Sequence, residues 1–322
     1  MKKKTINAVI CKKFDEFVGS IADDKVRELV KKNSIITGGS ITSMLLKEDV
    51  NDFDIYFANK ETVLAATKYY VDLFNKSSGS YAAVLDGGNE EQMGSYLSGG
   101  GTGLNMTSDR IKIIISSRGV AGEQPDETDE ETNFQNHVQP IADADEIAFE
   151  EEITAAPDKP KYRPVFLSAN AITLSDKIQI VIRFYGEPAA IHENYDYVHC
   201  TNYWYSKDRQ VVLNQSALEA ILSKELVYIG SKYPLCSIIR TRKFLKRGWT
   251  INAGQYLKMC FQVSKLDLTN IAVLEDQLIG VDVAYFAQLI EAVKTHIDKK
   301  NKEGHDFKLE YGYLATIIDK MF

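Results

Sequence analysis

Two neighbouring stretches decide the reading of this chain: Ser34-Ile35-Ile36-Thr37-Gly38-Gly39-Ser40-Ile41-Thr42-Ser43-Met44-Leu45-Leu46, and then Asn51-Asp52-Phe53-Asp54-Ile55-Tyr56-Phe57. The β-branched run before Gly38 predicts a short strand. The glycines predict a tight turn, and the apolar run after Ser40 predicts a helix. Asn51–Phe57 alternates polar and apolar at its start and predicts a second strand. Strand side chains alternate between faces, so Asp52 and Asp54 point to one face while Phe53 and Ile55 point to the core.

That arrangement suits phosphate chemistry on a bound metal. Two carboxylates at i and i+2 offer hard oxygen ligands to Mg²⁺ (or Mn²⁺), an ion that keeps waters and binds through few protein groups. Gly38 and Gly39 let backbone approach a phosphate closely. The helix that follows presents free N–H groups and the positive end of its dipole, and Ser40 adds a hydroxyl.

Outward from this segment, residues 14–33 carry Phe14, Phe17, Val18, Ile21, Val26, Leu29 and Val30 near helical spacing, which predicts one amphipathic helix. Residues 60–76 predict another, with Val63, Leu64, Ala66, Tyr69, Tyr70, Val71 and Phe74 inward. From Ser77 the composition turns to Gly and Ser, including Gly99-Gly100-Gly101-Thr102-Gly103, interrupted by the strand-like run 110–116. Residues 123–152 then hold twelve acidic residues and no Lys or Arg. We expect 77–160 to be an insertion with one or two strands that rejoin the sheet. The Gly-rich run lacks a GxGxxG pattern and reads as a loop.

Regular patterning resumes at Tyr162. Residues 177–184 predict a strand, Pro188 opens a short helix through Asn194, and Asp196–Tyr205 predicts a further strand. From residue 215 the pattern is helical: 215–224, 234–247, 254–264, 271–279 and 281–299. The expected fold is an α/β (α+β) head with a mixed sheet over 1–214, followed by an α-helical domain over 215–322.

The net charge of −7 argues against a protein that coats nucleic acid by charge alone. The acidic stretch outweighs that total, so the remainder of the chain is net basic. The four cysteines, Cys11, Cys200, Cys236 and Cys260, make no CxxC pair and read as small apolar side chains. No stretch reaches the ~20 apolar residues of a membrane span. The N-terminal Lys2-Lys3-Lys4 is followed by too short an apolar run for a signal peptide. We therefore expect a cytoplasmic protein without a membrane partner.

The Gly38-Gly39-Ser40…Asp52-Phe53-Asp54 segment resembles the DNA-polymerase-β-like nucleotidyltransferase superfamily. Its signature is GG[ST], a short spacer, then an acidic-apolar-acidic triplet on a strand; here eleven residues, 41–51, form the spacer. The resemblance implies transfer of a nucleotide from an NTP to an acceptor, with Asp52 and Asp54 as metal ligands and Gly38, Gly39 and Ser40 at the triphosphate.

A looser resemblance, to class II tRNA nucleotidyltransferases and bacterial poly(A) polymerases, runs through Asn194-Tyr195-Asp196-Tyr197-Val198-His199-Cys200-Thr201-Asn202 and residues 217–250. It implies a helical neck and RNA or tRNA as the acceptor. The chain departs from that pattern in three places. Thr42 and Ser43 stand where those enzymes have an Arg-Asp pair, Asn194-Tyr195 where they have Arg-Arg, and their base-selecting motif is missing near Tyr233-Pro234…Ser237. These departures put CCA addition in doubt. Gln179 stands where a third strand carboxylate would be expected, which leaves Asp196 either as that carboxylate or as a structural residue.

Arg240, Lys243 and Arg247 share one face of a predicted helix at i, i+3, i+7 spacing. They read either as a phosphate-binding surface for the NTP or an RNA backbone, or as a solvated face. The aromatic residues Tyr195, Tyr197, Tyr203, Trp204 and Tyr205 read as core or as base-stacking groups, and His199 as a core histidine. Two other functions share the same motif: a nucleotidyltransferase that modifies a protein or small molecule, and an inactive fold that serves as a binding module.

Overall fold

The computed structural model describes residues 1–77, 81–86, 111–116, 160–168, 170–268, 270, 273–274, 277, 312 and 315. Among these, the chain forms two compact units, one ending at Ile229 and the other beginning at Gly230.

The first unit opens with α1 (Lys3–Gly19) and α2 (Asp24–Asn33). The single helix expected over 14–33 is thus two. The chain breaks at Ser20–Asp23, where the Asp23 carboxylate caps α2 by accepting the Val26 N–H at 2.9 Å. β1 (Ser34–Thr37), α3 (Gly39–Leu46), β2 (Phe53–Phe57) and α4 (Lys60–Ser77) follow as the sequence predicts.

β5 (Pro164–Leu167), β6 (Ala171–Leu174) and β7 (Ile178–Tyr185) lead into α5 (Pro188–His192). The expected strand over 196–205 is instead a bridge at Tyr197, a 3-10 turn (Val198–Cys200) and then β8 (Tyr203–Tyr205). The backbone of 196–198 pairs with Val227–Ile229 rather than with the sheet. β9 (Gln210–Val212) and α6 (Gln215–Ser223) complete the unit.

Seven strands make one mixed sheet in the order β5-β6-β7-β2-β1-β8-β9. β2 and β7 run parallel and the other pairs antiparallel. One face carries Ile36, Phe53, Ile55, Phe57, Ile178, Ile180, Ile182 and Trp204 into the main core, where α1, α2 and α4 deliver Phe14, Phe17, Val30 and Tyr70. This burial of large side chains on both partners is the main stabilising term. The other face carries Ile35, Tyr56, Val181, Tyr203 and Tyr205, which pack with Ile191 and Tyr195 in a smaller cluster.

The insertion differs from expectation. β3 (Tyr81–Asp86) and β4 (Ile111–Ser116) pair with each other as a separate two-stranded sheet and do not join the main one. Ala82, Ile111 and Ile113 still reach the main core. Asn75 of α4 fixes the hairpin by exchanging hydrogen bonds with both backbone groups of Ala82. The Gly-rich run 99–103 and the acidic stretch 123–152 lie outside the described residues.

The second unit contains α7 (Pro234–Lys246) and α8 (Ala253–Val263). Cys236 and Met259 are buried there, and Trp249 closes edge-on against Phe244. The helices expected over 271–279 and 281–299 fall outside the described residues apart from single positions.

Candidate functional site

Gly38 follows β1 at φ +94°, a conformation that side chains with a Cβ rarely adopt. Its N–H donates to the Cys200 carbonyl at 3.1 Å, which ties the turn to the 3-10 segment. α3 starts at once at Gly39, and Ser40 is buried with its hydroxyl lacking any hydrogen-bond partner. A buried hydroxyl without a partner at a helix N-terminus is what a bound anion would satisfy.

The carboxylates meet this turn directly. Thr37 lies opposite Asp54 in the β1–β2 register, and a Cβ added to Gly38 would sit 2.7 Å from Asp54 Oδ2. Asp52 stands just before β2, near enough for its charge to act on Asp54. Burial first, and the Asp52 charge second, push the Asp54 carboxyl well above the usual carboxylate range. Phe53 and Ile55 between and beyond them are buried, as the alternation predicts.

A divalent ion fits this pair only in one way. Among the described residues no group of three or more His, Cys, Asp or Glu side chains forms a metal cage. Two carboxylates beside a glycine turn nonetheless suit Mg²⁺, which completes its shell with waters and substrate phosphates.

Around the pair stands a shelf of neutral polar and aromatic groups. Thr37 Oγ1 lies 2.9 Å from His192 Nε2 and donates to the Asn202 carbonyl at 2.9 Å. With that proton used, Nε2–H of His192 is the donor to Thr37. Burial lowers the His192 pKa to about 4, which keeps the ring neutral. His192 packs against Tyr195 and Tyr203, with ring centroids 5.1 and 5.8 Å apart, and Tyr56 meets Tyr195 at 6.1 Å. Burial, Tyr56 and the Asp54 charge raise the Tyr195 phenol well above its ordinary value. The sequence offers one weak clue to this shelf: Thr37 is a polar residue that ends an apolar strand. Nothing in the sequence marks His192.

The other predicted site residues fall in three places. Asp196 is buried between α5 and the 3-10 turn, and its carbonyl accepts the Ile229 N–H. Gln179 lies on β7 directly opposite Asp54 in the parallel register. Arg240 and Lys243 are on α7 and Arg247 is its C-terminal cap, all in the second unit. His199 is buried and stacks on Tyr197, as expected of a core histidine. Trp204, Tyr197 and Tyr205 are buried too, while Tyr195 and Tyr203 are half-buried. Thr42 and Ser43 are buried, and the Thr42 hydroxyl donates to the His199 carbonyl at 2.8 Å.

The mixed sheet carries a strand–turn–helix–strand unit that closes Gly38 on Asp54. The chain belongs to the Gabija anti-defense 2 family, whose match spans residues 8–224, from α1 to the end of α6. No curated protein sequence matches it. Among solved structures, the CCA-adding enzyme of Bacillus stearothermophilus in complex with CTP is similar over 86% of this chain, with 9% identity and a TM-score of 0.35. This chain covers 51% of that enzyme, about half its length. Among the described residues no helix is long and apolar enough to cross a membrane.

Proposed function

We propose that this chain is a metal-dependent nucleotidyltransferase that moves a nucleotide from an NTP to an acceptor. The observation that carries this reading is the contact between the glycine turn and the carboxylate pair, with Gly38 against Asp54 Oδ2. Nucleotidyl transfer asks for a triphosphate cradle and metal ligands in one place, and little else from the protein.

In this reading Gly38, Gly39 and Ser40 hold phosphate oxygens through backbone N–H groups and the buried Ser40 hydroxyl. Asp52 and Asp54 hold Mg²⁺ or Mn²⁺, which when bound neutralises charge developing on the transferred phosphate. Thr37 and His192 fix the end of β1, so the cradle keeps its place against Asp54. Asp196 is the third carboxylate, acting outside the metal pair. Arg240, Lys243 and Arg247 bind phosphate of the NTP or of an RNA acceptor.

The family description names an anti-defence role, which we carry to this chain as the purpose of the transfer. An RNA is the acceptor that the basic helix suits. Incubating the purified protein with each labelled NTP, Mg²⁺ or Mn²⁺, total RNA and cell extract tests the reading. Label in RNA supports it as stated. Label in protein or a small molecule keeps the transfer and corrects the acceptor.

One observation favours a second reading. Gln179 occupies the register position beside Asp54 where a further carboxylate would serve. An inactive nucleotidyltransferase fold that binds a partner would show that substitution. Absence of metal-dependent NTP turnover with every acceptor would select it.

A further inference from the structure

The hydroxyl of Tyr195 also lies at the Gly38–Asp54 junction. A Cβ on Gly38 would lie 3.7 Å from Tyr195 Oη and 2.7 Å from Asp54 Oδ2, so both oxygens border the same space beside Gly38. Oη is shielded from solvent, with the hydroxyls of Thr37 and Tyr56 beside it and the Asp54 charge acting on it. A buried hydroxyl beside a carboxylate is placed to orient it.

The ring that carries this hydroxyl is held on two sides. Tyr56, two residues beyond Asp54 on the same strand face, packs against it at 6.1 Å. His192 packs against it at 5.1 Å and is itself tied to Thr37, the residue opposite Asp54 in the register. Each support of the Tyr195 ring is therefore anchored to β1 or β2, next to Gly38 or Asp54.

We propose that Tyr195 is a positioning residue of the carboxylate pair: its hydroxyl donates to Asp54 when a divalent cation takes the opposite side of that carboxylate. An outer donor of this kind fixes which oxygen faces the ion and how the carboxylate is turned. Loss of such partners commonly weakens metal binding by about 10–100-fold. The inference rests on the nucleotidyl-transfer reading of the same site.

The test is a titration of the whole protein with Mn²⁺ alone, followed by electron paramagnetic resonance. It compares the unaltered chain, Tyr195→Phe and Tyr162→Phe. Tyr195→Phe keeps both ring contacts, so it should fold, and a melting curve checks that. Tyr162→Phe is the control, because its hydroxyl donates to Glu16 on α1. We expect Mn²⁺ affinity to fall about tenfold in Tyr195→Phe and to stay unchanged in Tyr162→Phe. Equal affinity in the unaltered chain and Tyr195→Phe overturns the inference and leaves the transfer reading standing. So does an equal loss in both variants, which marks general softening. No Mn²⁺ binding by the unaltered chain overturns the metal site itself, and the inference with it.

Discussion

Gly38 and Asp54 are packed so closely that a methyl group on the glycine would lie 2.7 Å from Asp54 Oδ2. Gly38→Ala therefore does two things. It forces a Cβ into φ +94°, where strain costs about 1–3 kcal/mol, and it displaces the carboxylate. We expect a lower melting temperature and loss of transfer together. Gly39→Ala is the comparison: Gly39 is the first residue of α3 and nothing lies within 4 Å of its Cβ position. That variant should keep its stability. Equal stability of the Gly38 variant and the unaltered chain would show that the turn is not constrained as described.

In the transfer reading, Asp52→Asn and Asp54→Asn remove the proposed metal ligands but keep side-chain shape. Each should lower transfer by about two to three orders of magnitude, the scale of losing one group that stabilises developing charge. Folding should survive, because an amide relieves the cost of burying Asp54 beside Asp52. Activity close to that of the unaltered chain in the double variant would remove the transfer reading.

The same burial sets a pH dependence in metal-free protein. Asp54 holds its proton to higher pH in the folded state than in the unfolded one. The folded state thus binds more protons in that window, and stability falls as pH rises through it. His192 acts oppositely. Its folded pKa of about 4 lies below the ordinary histidine value of 6.5, so stability is full above pH 6.5 and is lost as pH falls toward 4. Chemical denaturation against pH should show Asp54→Asn removing the decline at higher pH, and His192→Gln removing the loss on the acid side. Unchanged profiles in both variants would show that neither group is buried as described.

The Gly38–Asp54 segment is legible in the sequence because its signals are local. Gly38 needs a glycine for its φ, and Asp52, Phe53, Asp54 and Ile55 obey the period of a strand. The shelf behind it is not, because Thr37, His192 and Tyr195 meet only after residues 155 or more positions apart are brought together. The break between α1 and α2 was missed because the apolar spacing runs through it, and only the Asp23 cap ends the register. The strand expected over 196–205 is shorter for a similar reason: only Tyr203–Tyr205 join the main sheet, while Tyr197 and Val198 are buried at the Tyr197–Tyr228 bridge and the 3-10 turn. In the sequence Gln179 stands where a third strand carboxylate would be expected, which leaves Asp196 as the candidate or as a structural residue. The parallel register shows that the residue beside Asp54 is the amide.

The basic residues of α7 give the test that bears on the acceptor. Lys243 and Lys246 lie in the last turn of the helix, where positive charge also complements the helix dipole, so their presence alone does not establish a binding surface. A surface that meets an RNA backbone releases counterions, and its affinity weakens steeply with salt, by a log–log slope of about −0.7 per phosphate for single strands. Arg240→Ala with Arg247→Ala should make that slope shallower by about 1.4 if each arginine meets one phosphate. Binding of a labelled single-stranded RNA across a salt series reads this directly. If the two arginines serve only the triphosphate, apparent NTP affinity falls while the RNA slope stays fixed. If both quantities stay where they were, the helix is a solvated face and the RNA acceptor loses its physical support. Arg242→Ala is the internal control, since Arg242 is exposed and lies off the shared i, i+3, i+7 stripe. A slope that changes as much in that variant as in the double one would reflect net charge alone and would argue against a defined phosphate path along the stripe.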